Sequence, residues 1–513
     1  MFIEKTVLSS FIKIQQSNRN NRCFQVIHLL KKSILWHHFG KQMRQGTRFC
    51  VESAKVEEVT ASPVPTESGA RSNRPTHCVV GGAHAFILRI SSFFGLAPLR
   101  FDSRSNGFTV SISGAMCVYS YILVTVLVIC TIFGLVAEIN VGVELSVRMS
   151  SRMSQVVSTC DVLVVVATAG AGVYGAPRRM RNMLKFMENI ASVDTSIGGQ
   201  YSLVTERKLC GIILGILIFF SILIADDFTF YALQAKKLDR EWDVVTNYLG
   251  FYMLWFVVLI LELQFAFTAL SVRARFSAVN DALALTAQQV SIPAEKPKSA
   301  SPLNIYAIRV APAGNQRSAN VSLLVDSMTG REHVVIIKRT ASGEPRLIVS
   351  PCDAVRRLAA LHGTLCDVVN SIDDSYGLPL VVILISTLLH LIVTPYFLIM
   401  EIIVSTNRVH FLVLQFLWCV THMLRMIVVV EPGHYTIAEG KRTEGLVCRL
   451  MTSAPSTGVL PSRLEIFSRQ LMLQSVSYAP MGMCTLHRPL IASVIGAVTT
   501  YLVILIQFQR YDN

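Results

Sequence analysis

Charge is what this chain is short of. Asp, Glu, Lys and Arg make up 16 % of its 513 residues, against about 25 % in soluble globular domains. Apolar residues make up 52 %, and mean hydropathy is +0.49. An ordinary soluble enzyme domain is therefore excluded, and most of the chain belongs in lipid. The usual marks of catalysis are missing too: there is no Walker A loop, no H-E-x-x-H, no G-x-S-x-G, and no K⁺-filter T-V-G-Y-G. The 12 cysteines show no metal-ligand or small-scaffold spacing; Cys117, Cys130, Cys160, Cys210 and Cys419 lie inside apolar runs and read as reduced packing residues. Neither metal nor cofactor is called for. A signal peptide is also missing, because the apolar pieces around Val7 and Ile27 are broken by Lys13 and by Lys31-Lys32. The first span must serve as its own signal. The net charge of +14 raises the question of nucleic acid, but the basic residues are scattered between apolar runs rather than massed on one face.

What is present is a series of long apolar runs. A membrane-crossing helix needs roughly 20 apolar residues, with ~17 as the short limit. Seven stretches qualify: 115–137, 155–175, 209–225, 248–270, 377–404, 410–430 and 489–508. The third is the shortest and is expected to stop at Asp226-Asp227. Basic residues set direction, since they are retained on the cytoplasmic side. The connection 176–208 carries Arg178, Arg179, Arg181, Lys185, Arg207 and Lys208, and 431–488 carries Lys441, Arg442, Arg449, Arg463, Arg469 and Arg488. Opposite connections hold far fewer. A cytoplasmic N-terminus and an extracellular C-terminus follow, in a multi-pass protein of the plasma membrane. The sequon at Asn320 then falls inside, and no cysteine falls in an outside connection.

Domain organisation follows: a tail 1–82, flexible in its Pro-rich part 51–76; spans one to four within 83–270; cytoplasmic helices with a variable insert 291–350 across 271–376; spans five and six in 377–430; a cytoplasmic segment 431–488; span seven at 489–508; and an outer tail 509–513. Val272, Phe276, Val279, Leu283 and Val290 form one helical stripe that continues span four into the cytoplasm. Leu358, Leu361, Leu365, Val368 and Ile372 alternate threes and fours before span five, as in a coiled-coil seam. Leu464, Phe467, Leu471 and Leu473 mark a third amphipathic helix. These faces serve either intrachain packing or an interface that gathers several chains. The insert alternates around Thr329-Gly330, which fits a small hairpin or a disordered loop.

Ionisable groups inside spans are costly and face the protein interior or a water-filled cavity. Tyr396 lies roughly 12 Å from the outer end of span five, and Trp418 lies about as deep in span six. Thr394, Gln415, Thr421 and His422 share their level, and Asp161 of span two is in the same leaflet. Flat apolar rings with convergent donors and acceptors suit a sugar, whose C–H faces stack while its hydroxyls hydrogen-bond. The alternative is that both aromatics are core or lipid-facing residues. Glu262 and Arg425 lie at similar depth in the inner half and are expected to pair. Ala492, Ser493, Gly496 and Ala497 give span seven two small-xxx-small faces for close helix contact.

The last span ends Thr500-Tyr501-Leu502-Val503-Ile504-Leu505-Ile506-Gln507-Phe508, which resembles the T-Y-x5-Q-F signature of insect gustatory receptors. The resemblance extends from about Phe86 to the C-terminus outside 291–350. It takes in Val147-Arg148-Met149, Cys160-Asp161-Val162, Leu388-Leu389-His390-Leu391, Tyr396-Phe397-Leu398, Leu417-Trp418, His422, Leu424-Arg425 and Val429-Val430-Glu431-Pro432. With Gln507-Phe508-Gln509-Arg510 it is most similar to the fructose-sensing subfamily; other sugar receptors of the family carry an acidic residue where this chain has Leu502. Two positions depart from the pattern: Gly433 stands where cysteine is usual after Glu-Pro, and Pro395 precedes Tyr396.

The resemblance implies an all-α homotetrameric, ligand-gated, non-selective cation channel whose permeant species are cations. It implies that the four seventh helices line the pore, with Thr500, Tyr501, Gln507 and Phe508 at the pore and gate, and that the cytoplasmic helices anchor the tetramer. It also implies a sugar, D-fructose first, between Tyr396 and Trp418, with membrane lipid around the subunits. A sister channel for bitter or other ligands is the alternative. A G-protein-coupled receptor is a weaker one, since span seven lacks N-P-x-x-Y, and a transporter is weaker still, since the halves show no repeat.

Overall fold

A computed structural model describes residues 78–80, 82–104, 107–141, 146, 152–197, 200–291, 324–325, 332–333, 336–339, 345–347, 349–404, 409–454 and 459–512. The tail 1–77, the sequon at Asn320, Val147-Arg148-Met149 and the turn Thr329-Gly330 lie outside them. Among the described residues, seven helices are long and apolar enough to cross a membrane. They are α2 (Gly114–Val141), α3 (Arg152–Tyr174), α5 (Gln200–Lys236), α6 (Glu241–Ser291), α7 (Pro351–Val404), α8 (Val409–Ser453) and α10 (Arg488–Asp512). Their order gives spans one to seven.

Span four is the hub. It packs against spans one, two, three, five and six, and its apolar stretch is the most buried of the seven. Its hydrophobicity runs all round, as a helix enclosed by others requires. Gly250 and Gly134 let span one lie close: a Cβ at Gly134 would come within 2.1 Å of the Asn247 carbonyl oxygen.

The third span is a correction to the sequence reading. Asp226-Asp227 do not end it; α5 runs on to Lys236 because the Asp227 carboxylate turns inward and is only 4 % exposed. The stripes after span four and before span five are parts of single helices of 51 and 54 residues. At 1.5 Å per residue these are roughly 75–80 Å long, more than twice a ~30 Å hydrocarbon core. Val272, Phe276, Val279 and Leu283 are buried against Leu358, Leu365, Val368 and Ile372 in one core. A shorter helix α9 (Leu460–Leu473) closes over them with Leu464, Phe467 and Leu471. Leu473, expected on that face, is instead 86 % exposed at the helix end.

Ahead of span one the chain forms structure that periodicity did not announce. β1 (Cys78–Val80), β2 (Leu99–Arg104) and β3 (Gly107–Ile112) make an antiparallel sheet in the order β1-β3-β2. Helix α1 (Gly82–Phe93) packs on spans three and four. After span two the chain bends at Gly175 into α4 (Ala176–Ile197), whose apolar face lies on spans four and five. Its Arg179 is 1 % exposed. Arg179 donates from Nη1 to the Gly172 carbonyl (2.9 Å), at the end of α3, and from Nη2 to the Leu96 carbonyl (3.0 Å). The Tyr376 ring lies 5.2 Å beneath the guanidinium. Within the insert, β4 (Leu324–Val325) pairs with β5 (Glu332–His333), flanking Thr329-Gly330, and β6 (Ile337–Arg339) pairs with β7 (Pro345–Leu347).

Candidate functional site

The residues expected to bind the ligand lie on spans two, five and six. Asp161 of span two accepts from Nε2 of His390 in span five at 2.6 Å. Nδ1 of the same ring lies 2.5 Å from the Ser386 carbonyl oxygen, an acceptor only. His390 stacks on His422 of span six at 4.7 Å and 27°. Arg425, one turn on, donates from Nη1 to Nδ1 of His422 at 3.4 Å. A guanidinium has no acceptor, which assigns a neutral His422 with its proton on Nε2.

Arg425 in turn grips Glu262 of span four. Its Nε lies 3.1 Å from each carboxylate oxygen, and Nη2 lies 2.6 Å from Oε1. Both residues are at most 2 % exposed. The pairing expected from depth alone is thus present, and charge-assisted bonds of this fork geometry are the strong ones. A buried pair of this kind offsets a desolvation cost of several kcal/mol per ion, so it fixes geometry more than it adds stability. The result is a continuous polar chain, Asp161–His390–His422–Arg425–Glu262, that ties spans two, five, six and four together.

Aromatic rings fill the space around it. Trp255 lies 5.1 Å from His390, 5.6 Å from Trp418 and 4.6 Å from the Arg425 guanidinium. Trp418 stacks on His422 at 5.5 Å and 24°, and meets Phe220 edge-on. Its indole N–H donates to Asp227 at 3.1 Å, and the Tyr252 hydroxyl donates to the other oxygen at 2.5 Å. Thr421 spends its hydroxyl on the Leu417 carbonyl. Thr394 and Tyr396 are buried one turn or more beyond His390, and the Tyr396 ring meets Phe397 at 5.6 Å. Gln415 is half-buried.

The structure therefore brings Asp161, Trp418, Thr421 and His422 to one cluster, and the flanks of Trp418 are taken by His422, Trp255 and Phe220. Sequence reasoning missed Trp255, Asp227, Tyr252 and His390 as members. Asp227 closes an apolar run and so resembles a helix end in sequence, and a single Trp in an apolar span gives no period to follow. His390 in a run of leucines was the one available signal.

Span seven stands apart from this cluster. Its first turns pack on spans five and six through Leu490, Ile491, Val494 and Val498 against Leu391, Met426 and Val430. No residue of its most apolar stretch is buried. Thr500 and Gln507 are exposed and Tyr501 is half-buried; Phe508 lies on the helix, its side chain outside the described residues. Arg488, at the start of the helix, pairs with Glu431 of span six at 2.9 Å.

The family model for the 7tm chemosensory receptor matches residues 84–511. The gustatory receptor for sugar taste 43a of Drosophila melanogaster is 30 % identical over 435 residues, covering 83 % of this chain and 98 % of that protein. The putative gustatory receptor 28a of the same fly is 28 % identical over 172 residues, 31 % of this chain and 37 % of that one. Among solved structures, the olfactory receptor OR5 of Machilis hrabei superposes with a TM-score of 0.54 at 11 % identity, covering 83 % of this chain and 97 % of that chain. Its complex with eugenol gives 0.53 at 12 % identity over the same shares. The chain is a multi-pass membrane protein and belongs to the insect chemosensory receptor family, on its gustatory, sugar-taste branch.

Proposed function

We propose that this protein is a homotetrameric, ligand-gated, non-selective cation channel of the plasma membrane, opened from outside by a sugar, D-fructose first. The observation that carries the reading is the aromatic and polar cluster around Trp418. It combines stackable rings with hydrogen-bonding groups from five spans, which is the chemistry a polyol demands. The name of the sugar-taste relative, which matches over 83 % of the chain, supports the ligand class. The exposed face of α10, with Ala492, Ser493, Gly496 and Thr500, supports a seventh helix completed by other copies around a cation path. The retention of basic residues in 176–208 and 431–488 supports a cytoplasmic N-terminus and extracellular C-terminus.

The ligand would enter among spans two to six, exchange the Trp418 contacts for its own, and bias the arrangement in which the seventh helices separate. It can do so only through its higher affinity for that arrangement. Tyr396, Thr394 and Gln415 belong to the same pocket in this reading, with Gln507 and Phe508 at the gate. Whole-cell recording of Trp418→Ala tests it, alongside a panel of fructose, glucose, sucrose and bitter compounds. The expected result is no fructose-evoked current with tetramers still at the surface. A response equal to the unmodified receptor's would remove Trp418 from the site, and a response confined to bitter compounds would move the ligand class.

A further inference from the structure

The linker between α9 and α10, residues 474–487, lies pressed onto α7 and α8. A Cβ at Gly440 of α8 would come within 2.9 Å of the Val476 side chain, and one at Gly377 of α7 within 3.3 Å of the Met481 backbone nitrogen. Two linker side chains, Tyr478 and Leu486, are 0 % exposed. The Tyr478 ring meets Phe265 of span four edge-on at 5.9 Å, and the Tyr478 carbonyl accepts from the Leu486 N–H at 2.9 Å. Apolar burial therefore holds the linker down. Against it stands a strained turn at Pro480–Gly482, where Met481, a residue with a Cβ, has φ 53°.

A second opposing force is electrostatic. Asp373 of α7, ahead of the 377–404 stretch, accepts from the Ala479 N–H of the linker. The residue is half-buried, and its Oδ1 is buried with no hydrogen-bond partner among the described residues. No Lys, Arg or His among them pairs with it. The titratable groups that face it are Asp374 on its own helix and Tyr478 and Cys484 from the linker. An ionised Asp373 under the linker thus has one N–H bond and no counter-charge. Burying a charge on those terms is costly, and a neutral carboxyl avoids the cost. Burial pushes the Asp373 carboxyl up to about 6, with the Ala479 N–H opposing and Asp374 adding. Cys484 feels the same field: burial first, and the Asp373 charge second, hold its thiol above the ordinary range.

We infer that Asp373 is a proton-operated latch on the linker ahead of α10, holding it to α7 when the carboxyl is neutral and loosening it when the carboxyl is ionised. Its bearing on a pore rests on the channel reading above, and the cytoplasmic source of the proton rests on the orientation given there. A carboxyl in water titrates near 3.9 (reference value, roughly). The held linker therefore takes up its proton at higher pH than the released one, and acid favours holding. From pH 7.5 to 5.5 the ratio of held to released linker rises roughly fourfold; above about pH 7 the carboxyl is ionised in both states and the ratio is flat.

The test is hydrogen exchange of the full-length receptor purified in neutral detergent, read by mass spectrometry over 475–487 and corrected for the intrinsic pH dependence of amide exchange. Protection should rise roughly fourfold from pH 7.5 to 5.5. In D373N it should be equal at both, and higher than in the unmodified receptor at pH 7.5, a gain that misfolding cannot produce. D374N should keep the rise, with its midpoint moved to lower pH. Unchanged or falling protection in the unmodified receptor, or a rise that persists in D373N, would overturn the latch. So would equal protection gained at pH 7.5 from millimolar Mg²⁺ or Ca²⁺, which would give the carboxylate to a metal ion. This measurement uses neither ligand nor current, so it stands if the channel reading fails. In inside-out patches, cytoplasmic acid should shift the half-maximal fructose concentration by up to roughly fourfold in the unmodified receptor and not in D373N. No shift there, with the exchange result intact, would detach the latch from the gate.

Discussion

Removing one charge from the Arg425–Glu262 pair leaves the other buried with no counter-charge, because both side chains are at most 2 % exposed. Arg425→Gln or Glu262→Gln alone should cost about 3–5 kcal/mol, whereas replacing both by methionine should cost less than either. Thermal unfolding of the purified receptor would show it; a double variant weaker than both singles would refute the pairing argument. Arg425→Gln should also free His422 from its single-tautomer constraint and disturb Trp418, so ligand response should fall further than stability. His362 offers a second residue-scale prediction. It lies in the part of α7 beyond the 377–404 stretch, 1 % exposed between Phe276 and Phe467. Burial pushes its imidazole down to about 4. The unfolded chain takes up that proton near pH 6.5 and the folded chain only near 4, so the fold loses stability as pH falls across that interval. The loss is on the order of 3 kcal/mol. His362→Leu should flatten the decline in melting temperature between pH 7 and 4.5; an unchanged slope would show that another group dominates.

At the scale of elements, what matters is how the cluster reaches the seventh helix. Span six carries Trp418, His422 and Arg425, and, on the same helix, Glu431, which holds Arg488 at the start of α10. Arg488 also reaches the Tyr435 hydroxyl at 3.4 Å. A shift of span six thus pulls directly on the base of α10. Glu431→Arg and Arg488→Glu should each move the half-maximal ligand concentration several-fold, and the exchanged double variant should return most of the way. Single shifts that simply add would show the pair to be uncoupled. Gly433 belongs to the same junction. A Cβ there would come within 2.8 Å of the Leu486 Cβ and 3.0 Å of its carbonyl oxygen, which accounts for glycine at this position. Gly433→Cys should displace the linker ahead of α10 and cost about 1–3 kcal/mol, read as lower thermal stability.

For the whole molecule, the readable part was what hydrophobicity writes along the chain. Seven apolar runs, the stripe from Val272 to Leu283 and the seam from Leu358 to Ile372 are local patterns, and each became a helix face. The Glu262–Arg425 pair was readable because depth in a bilayer is itself a coordinate. Asp227 was not, since a carboxylate at the end of an apolar run looks like a boundary until a tyrosine and an indole from other spans are seen to donate to it. Trp255, the sheet β1-β3-β2 and the role of Arg179 depend on contacts far apart in sequence, which no period encodes. Arg178, Arg181 and Lys185, scattered when read in order, share one exposed side of α4, while Arg179 between them turns into the bundle. The proposed orientation can be checked with epitope tags: one at Asn513 should be reached by antibody on unpermeabilised cells, and one at Met1 should not.

The bond from Arg179 to the Leu96 carbonyl spans 83 positions. Ribosomes add about 5–20 residues per second, so Leu96 is made roughly 4–17 s before its donor exists. During that interval the turn following α1 must stay in water, or be held by the insertion machinery, because a bare carbonyl is expensive in hydrocarbon. Arg179→Met would then act first on biogenesis: newly made chains should stall and be degraded, while receptor that matures should still answer ligand. A pulse-chase experiment would separate those two fates.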